Sequence, residues 1–157
     1  MSDLRTLYQE VILDHNRNPR NFGPLEGCNH RAHGHNPLCG DSYEISVKLA
    51  DDGTIEAVGF DGSGCAISKA SASMMTKWVK GMSSDEAEVL VDQFRQMLIG
   101  TFDPEDETSK LGMLKVFTGV ATRPERVKCA VLPWHTLRAA LKGEEVISTE
   151  GEEDPLG

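Results

Sequence analysis

Residues 43–60 read YEISVKLADDGTIEAVGF, and this stretch decides the fold. Apolar and polar side chains alternate through residues 43–49, which is typical of a strand with one buried face. Asp51-Asp52-Gly53 is a strong hairpin turn signal, and residues 54–60 supply the returning strand. A weaker candidate strand lies at residues 28–34. The sequence therefore predicts a small, three-stranded antiparallel sheet, built by connections between neighbours along the chain.

Segments with helical periodicity lie on both sides of this hairpin. Their apolar residues recur at the three- and four-residue spacing of an amphipathic helix. The segments are residues 3–17, Cys65 to Gly81, the stretch opened by the capping box Ser83 to Glu86, residues 111–120 and about 129–142. Pro133 is expected in the first turn of the last helix, where a missing N–H is tolerated. This places Cys129 at the N-terminal edge of that helix and predicts an α+β fold.

The composition fits one domain followed by an acidic tail. The chain has 157 residues and a net charge of -9. Residues 143–157 contain six acidic residues and no base, so we expect a disordered tail there and a domain at 1–142. The negative charge argues against nucleic acid or an anionic membrane as partner. We find no apolar run long enough for a bilayer and no signal-peptide pattern, so we expect a cytoplasmic protein.

The stretch Cys39-Gly40-Asp41 has the residues of half a metal site. In an extended segment, positions two apart project to the same side, so the thiol and the carboxylate would lie together. Two later cysteines could complete the site: Cys65, after a glycine-rich turn, and Cys129. A helix N-terminus lowers the pKa of a thiol, so both are poised as thiolates. In a reducing compartment such cysteines favour metal or redox roles over disulfides.

Simpler interpretations exist for several of these residues. A cysteine is most often a small buried hydrophobe, and this is what we expect of Cys28, which has no chemical neighbours in sequence. The C-x-x-C pairs of a zinc ribbon are absent. The histidines His30, His33 and His35 are expected on the surface. A protease centre at Cys39 lacks a base that the sequence would fix beside the thiol.

Taken together, the motifs resemble those of a known family. They are Cys39-Gly40-Asp41, Gly62-Ser63-Gly64-Cys65, Arg126-Val127-Lys128-Cys129 and the N-terminal Asn18-Pro19-Arg20-Asn21-Phe22-Gly23. In this order they resemble the IscU/SufU family of iron–sulfur cluster assembly proteins, also called NifU N-terminal-like, over residues 4–142. Lys128 stands where the IscU branch has a histidine, residues 122–128 hold a single proline, and residues 100–118 look like an insertion. These features are similar to the SufU branch.

The resemblance implies an α+β fold with a metal site at one end, formed by Cys39, Asp41, Cys65 and Cys129. In the SufU branch the metal is zinc, and the partner is a pyridoxal-phosphate-dependent cysteine desulfurase. Cys39 is then the persulfide acceptor, with Cys129 as the alternative, and the sulfur passes on toward cluster biogenesis. An oxygen ligand matches a soft metal less well than sulfur does, so we expect the metal shell to open when the desulfurase docks.

Other functions remain open at this point. In the IscU branch the same ligands hold a [2Fe–2S] cluster, which the scaffold transfers to apo-proteins. A third alternative is a structural zinc domain used only for binding. Arg126 is expected either as a cation near the thiolates or in a surface salt bridge.

Overall fold

The computed structural model describes residues 2–36, 40–143 and 146–148. Its central feature is the predicted hairpin, formed by β2 (Asp41–Leu49) and β3 (Ile55–Ser63). The strands pair antiparallel, with Ile45 opposite Phe60 and Val47 opposite Val58. At the turn, Gly53 has a φ of 87° and its N–H donates to the Ala50 carbonyl over 2.9 Å. The hairpin prediction is confirmed.

Two further strands extend the sheet on the β2 side. β1 (His30–Asn36) pairs antiparallel with β2, and this pairing places Asn36 opposite Asp41. The short strand β4 (Val146–Ser148) then pairs parallel with β1, giving the order β3-β2-β1-β4. The three antiparallel strands are as predicted. The sequence does not predict the fourth strand, because the acidic composition of residues 143–157 indicates a disordered tail. Val146 and Ile147 have high β propensity, and β1 offers them an unpaired edge.

The described residues form four α-helices: α1 (Ser2–Arg17), α2 (Ala66–Val79), α3 (Ser84–Leu98) and α4 (Pro124–Lys142). Of these, α2 and α4 pack against the sheet. α4 lies against β1 and β2, while α2 lies against β3 and α4. The approach of α4 is so close that a Cβ at Gly34 of β1 would overlap the Thr136 hydroxyl. Trp134 stacks on Phe94 with 4.6 Å between ring centroids, which joins α4 to α3 inside the core.

The start of α4 differs from the prediction. Pro124, not Pro133, occupies the first turn, and the helix begins five residues before Cys129. Both prolines suit a helix start by their chemistry, but only Pro124 follows an extended residue, Arg123, with a φ of -125°. Pro133 lies inside the helix, where it has no N–H to donate to the carbonyl of Cys129. Cys129 is therefore in the second turn, within the core.

The segment before α4 forms a 3-10 helix, Gly112–Val120. Its apolar residues are buried as the periodicity predicts: Leu111, Leu114, Val116 and Phe117 have no exposed surface. The loop after α1 contacts the outer edge of β3. There the Phe60 carbonyl accepts from Gly23, and the Phe60 N–H donates to the carbonyl of Asn21. None of the helices in the described residues combines the length and apolar character needed to cross a membrane.

Candidate metal centre

Three side chains from three separate elements meet at one end of the sheet. Asp41 begins β2, Cys65 precedes α2 and Cys129 lies in α4. One carboxylate oxygen and the two Sγ atoms all lie within 4.8 Å of one another. Cys39, the fourth predicted ligand, lies outside the described residues. The sequence-predicted residues that the structure describes are thus brought together, although they are far apart along the chain.

Cys65 is held by the backbone at the start of α2. It is the N-cap residue, with φ -71° and ψ 170°, and its Sγ accepts from the N–H of Ser68 over 3.5 Å. Its own N–H donates to Asp41 Oδ1 over 2.9 Å. Gly64 makes this approach possible, since a Cβ there would lie 2.6 Å from Asp41 Oδ1 and 2.5 Å from the Ser68 hydroxyl. A side chain at position 64 would therefore clash with its neighbours, which explains the glycine before Cys65.

The buried hydroxyl groups of Ser68 and Tyr43 form a hydrogen-bond network next to Cys65. The Ser68 hydroxyl donates to the Cys65 carbonyl over 3.1 Å and lies 3.1 Å from the Tyr43 hydroxyl. Both Ser68 and Tyr43 are fully buried. Burial raises the pKa of Tyr43 to about 12. Because the single proton of the Ser68 hydroxyl goes to the Cys65 carbonyl, the Tyr43 hydroxyl donates to Ser68. Sequence reasoning missed both residues; the position of Ser68, three residues after a capping Cys65, was the available signal.

Asp41 has one satisfied and one unsatisfied carboxylate oxygen. Its side chain is 1% exposed, and Oδ2 finds no hydrogen-bond donor among the described residues. A buried carboxylate oxygen without a donor is destabilising by roughly 1–3 kcal/mol or more. A bound cation would remove this penalty. One carboxylate and two thiolates are suitable ligands for zinc or for iron, so these residues fit a metal.

The two thiols are hydrogen-bonded to each other, and this contact changes the pKa of Cys65. The pKa of Cys65 falls from 9.0 to about 5, chiefly because the Cys129 thiol donates a hydrogen bond to it. The Ser68 N–H lowers the pKa further, while burial and the Asp41 charge raise it. Cys65 is therefore ionised at neutral pH, with the proton of the Cys129 thiol hydrogen-bonded to its sulfur. A metal cation would replace that proton as the shared partner of both sulfurs.

Arg126 lies beside this group, in the wall of a cavity. Tyr8 lies in the same wall and is close enough to both Arg126 and Cys65 for their charges to act on it. Burial raises the pKa of Tyr8 despite the opposing charges of Arg126 and Arg123. In the part of the chain that the structure describes, no carboxylate lies within 4 Å of Arg126, so the predicted surface salt bridge is not found there. The structure places Arg126 on the Cys65 side of the site.

The remaining cysteine and the strand histidines lie apart from the three ligands. Cys28 is half-buried and precedes β1 at the end of the sheet away from Asp41. His33 and His35 follow along β1, and the ring of His33 hydrogen-bonds the Ser42 hydroxyl over 2.8 Å. Within the described ranges, the Asp41 group includes none of the histidines.

The comparisons with known proteins agree with this architecture. Residues 7–130 match the family model described as the NifU-like N terminal domain. The chain belongs to the NifU-like N-terminal domain family.

Two relatives have nearly the same percentage of sequence identity to this NifU-like chain. The iron–sulfur cluster assembly scaffold protein IscU of Streptococcus pyogenes serotype M1 is 41% identical and covers 90% of this chain and 87% of its own. The zinc-dependent sulfurtransferase SufU of Bacillus subtilis is 40% identical, over 92% and 95%.

A solved structure extends the likeness of the NifU-like chain to three dimensions. It is described as a putative iron–sulfur cluster assembly scaffold protein for the SUF system, from Fervidobacterium islandicum. It superposes with a TM-score of 0.75 at 32% identity, covering 87% of this chain and 98% of its own. The recognition of an IscU/SufU-type iron–sulfur cluster assembly protein is therefore confirmed, and the α+β fold with it. These relatives include both a scaffold and a sulfurtransferase, so the similarity does not distinguish between the two functions.

Proposed function

We propose that this protein accepts sulfur from a pyridoxal-phosphate-dependent cysteine desulfurase and supplies it for iron–sulfur cluster assembly in the cytoplasm. Zinc would be held by Cys39, Asp41, Cys65 and Cys129. The observation that carries the proposal is the buried group of two thiols and one carboxylate, with Asp41 Oδ2 lacking a donor. The zinc-dependent sulfurtransferase SufU, 40% identical over most of both chains, supports the choice of zinc. Lys128, where the IscU branch has a histidine, supports it too.

The transfer step is an exchange at sulfur. The thiolate of Cys39 attacks the outer sulfur of the donor's persulfide, and a new S–S bond forms on Cys39 as the donor's S–S bond breaks. The electron pair of the broken bond leaves with the donor cysteine as a thiolate, and the persulfide proton stays with the transferred sulfur. No external oxidant or reductant is required. Cys129 is the first alternative acceptor, but its burial in α4 gives an incoming persulfide little access.

The other residues of this chain prepare the thiols for that step. Zinc, when bound, would keep them deprotonated and protect them from oxidation. Asp41 fixes the backbone of Cys65 through Oδ1 and keeps Oδ2 available as an oxygen ligand. The Ser68 N–H holds the Cys65 sulfur at the helix start. Arg126 supplies positive charge on the side of Cys65, where anionic sulfur would arrive.

Sulfur transfer to variants in which one cysteine is replaced by serine tests the proposed acceptor. A cysteine desulfurase loaded with radiolabelled sulfur would be mixed with wild type, Cys39→Ser and Cys28→Ser. Cys28→Ser is the matched control, because Cys28 is half-buried and lies at the other end of the sheet. We expect wild type and Cys28→Ser to take up label and Cys39→Ser to take up none. If Cys39→Ser accepts sulfur at the wild-type rate, Cys39 is not the acceptor, and Cys39→Ser/Cys129→Ser would be examined next.

A scaffold for a [2Fe–2S] cluster is the second candidate, favoured by the 41% identical IscU of Streptococcus pyogenes. The cluster would then be the cargo, assembled on the same ligands and passed to apo-proteins. Asp41→Ala separates the two functions. A scaffold that loses its oxygen ligand should keep its cluster longer, whereas a zinc-dependent acceptor should lose zinc affinity and desulfurase activation. Native mass spectrometry of anaerobically purified protein measures both, through one zinc or two irons with two sulfides per chain.

A further inference from the structure

A large cavity opens directly beside Cys65. Its volume is about 860 Å³, and it lies between α1, the start of α2, the 3-10 helix and the start of α4. Its walls include Tyr8, Ile67, Val116, Val120, Arg123 and Arg126. Ala66 and Ile67, the two residues that follow Cys65, form the wall nearest to the metal group. A molecule bound in this cavity would therefore be a neighbour of the candidate metal centre.

The charges of the cavity have one sign. Among the side chains that the structure describes, Arg123 and Arg126 are the charged residues of its lining, and no acidic one lines it. Within the described ranges neither guanidinium has a carboxylate within 4 Å, although the whole chain carries a net charge of -9. Arg126 is half-buried and Arg123 is exposed at the N-cap of α4. The cavity thus offers two unneutralised guanidinium groups, which recognise carboxylates well.

The rest of the lining suits a polypeptide segment. The walls combine the aliphatic side chains of Ile67, Val116 and Val120 with the hydroxyls of Thr118 and Thr122. A volume of this size holds several side chains, and the mixture of apolar wall and charged rim is typical of a protein docking site. An inorganic anion would leave the aliphatic walls uncovered. An acidic segment with an apolar side chain beside its carboxylate would use both parts.

We propose that this cavity docks an acidic segment of the sulfur-donor protein, with Arg123 and Arg126 as its anchors. The inference rests on the proposed function, since it takes the desulfurase as the donor. Docking here places the donor against the start of α2, so the donor's persulfide is delivered to the side of Cys65 and Asp41. Arg123 then contributes to recognition of the donor, not to the sulfur exchange.

A competing occupant is the chain's own acidic segment. Residues 149–157 contain Glu150, Glu152, Glu153 and Asp154. β4 runs parallel to β1 and hence toward the end of the sheet that carries Asp41. Nine residues span at most about 30 Å when extended, so the experiment must also test whether this segment competes with the donor for the cavity. Deleting residues 149–157 belongs in the same experiment.

The experiment measures desulfurase activation against the concentration of wild type, Arg123→Glu, Arg123→Lys and Lys80→Glu. Lys80→Glu is the matched control, because Lys80 is exposed at the far end of α2 and undergoes the same change of charge. We expect Arg123→Glu to raise the half-saturating concentration about tenfold with little change in the maximal rate. The half-saturating concentration of this variant should also depend less on salt than that of wild type. Arg123→Lys should recover most of the loss, and Lys80→Glu should behave as wild type. Zinc content, measured in parallel, should be equal in all four.

Three outcomes would overturn the inference. If wild type neither binds nor activates the desulfurase, the proposed function fails and the docking site fails with it. If wild type activates and Arg123→Glu equals Lys80→Glu, the function stands but the cavity is not the docking site. If deletion of residues 149–157 lowers the half-saturating concentration in wild type but not in Arg123→Glu, the chain's own segment occupies the cavity. Unchanged activation by the deletion variant, together with the loss in Arg123→Glu, supports the donor as occupant.

Discussion

Cys65 and Cys129 reach the same point from different kinds of helix position. Cys65 is half-exposed and caps α2 from outside, where backbone N–H groups of the helix face its sulfur. Cys129 is 1% exposed and lies in the second turn of α4, with Val127 and Ala130 buried beside it. One thiol is thus positioned by the end of a helix and the other by the hydrophobic core.

This difference divides the tasks of the two sulfurs. The pKa of Cys65 falls chiefly because the Cys129 thiol donates to its sulfur, and the Ser68 N–H at the helix end lowers it further. The core instead fixes the position of Cys129, because α4 cannot shift without disturbing its contact with β1 at Gly34. In a metal site built in this way, the position of Cys65 can adjust to the metal, whereas the position of Cys129 is fixed by the core. The predictions below test that distinction.

The largest effect should come from removing each sulfur. Cys65→Ser and Cys129→Ser should each weaken zinc binding more than 100-fold, beyond the roughly 10–100-fold typical of outer partners. Their effects on the metal-free fold should differ. Serine is a good N-cap, so Cys65→Ser should be nearly neutral at about pH 5, where the thiolate no longer contributes, whereas a buried hydroxyl at position 129 should cost about 1–3 kcal/mol at the same pH. Chelator competition and urea unfolding measure the two quantities; equal stability losses would contradict the distinction.

Gly64→Ala should damage the capped thiol specifically. The added Cβ would lie within 2.7 Å of Asp41 Oδ1 and of the Ser68 and Tyr43 hydroxyls, so the turn before Cys65 must shift. We expect a loss of about 1–3 kcal/mol in unfolding free energy together with weakened zinc binding. Gly119→Ala is the control, because its nearest contact would be an ordinary 3.5 Å to the ring of Tyr8. Similar zinc affinity in both variants would argue against a tight turn at Cys65.

The hydroxyl network offers a smaller and more selective change. Ser68→Ala removes the acceptor of the buried Tyr43 hydroxyl and should cost about 1–3 kcal/mol. It should also lower zinc affinity about tenfold, because Ser68 orients Cys65. The pair Ser68→Ala/Tyr43→Phe should recover part of the stability but none of the zinc affinity. Recovery of both would mean that the network serves packing alone.

The last prediction concerns pH in the metal-free protein. Because the folded pKa of Cys65, about 5, lies below its ordinary value of 9.0, its thiolate stabilises the fold fully above pH 9. That contribution is lost as pH falls from 9 toward 5. Iodoacetamide should therefore modify Cys65 readily at pH 6.5 and Cys129 hardly at all, as mass spectrometry of tryptic peptides would show. Preferential labelling of Cys129 would reverse the assignment of the thiolate.

Local patterns predicted much of this architecture. The alternation around Asp51-Asp52-Gly53 was sufficient for the hairpin, since a two-strand pairing with a short turn depends on neighbours in sequence. The ends of elements were less certain. Pro124 and Pro133 are equivalent as signals for a helix start, and only the packing of α4 on the sheet distinguishes them. β4 could not be predicted because its three residues depend on an edge that β1 supplies.

In the candidate site, too, local patterns predicted some residues, while others depend on packing. The motifs around Asp41, Cys65 and Cys129 selected the residues that the structure brings together, because few other residues combine glycine turns with thiols. The supporting residues were not predictable in this way. Tyr43 and Ser68 look like ordinary strand and helix residues, and their role follows from the contact that the fold makes between their hydroxyls. Cys39, which the resemblance names as the acceptor, lies outside the described residues and stays a prediction.

The two borders of the sheet give the fold one more property. The loop at Asn21 and Gly23 takes up backbone hydrogen bonds of Phe60 on the outer side of β3, and β4 lies along the outer side of β1. Exposed strand edges invite pairing with other chains and lead to aggregation. If the protein passes sulfur between partners, as proposed above, it must meet them often without adhering to them. With both borders partly covered, encounters are directed to the end of the sheet where the thiols lie.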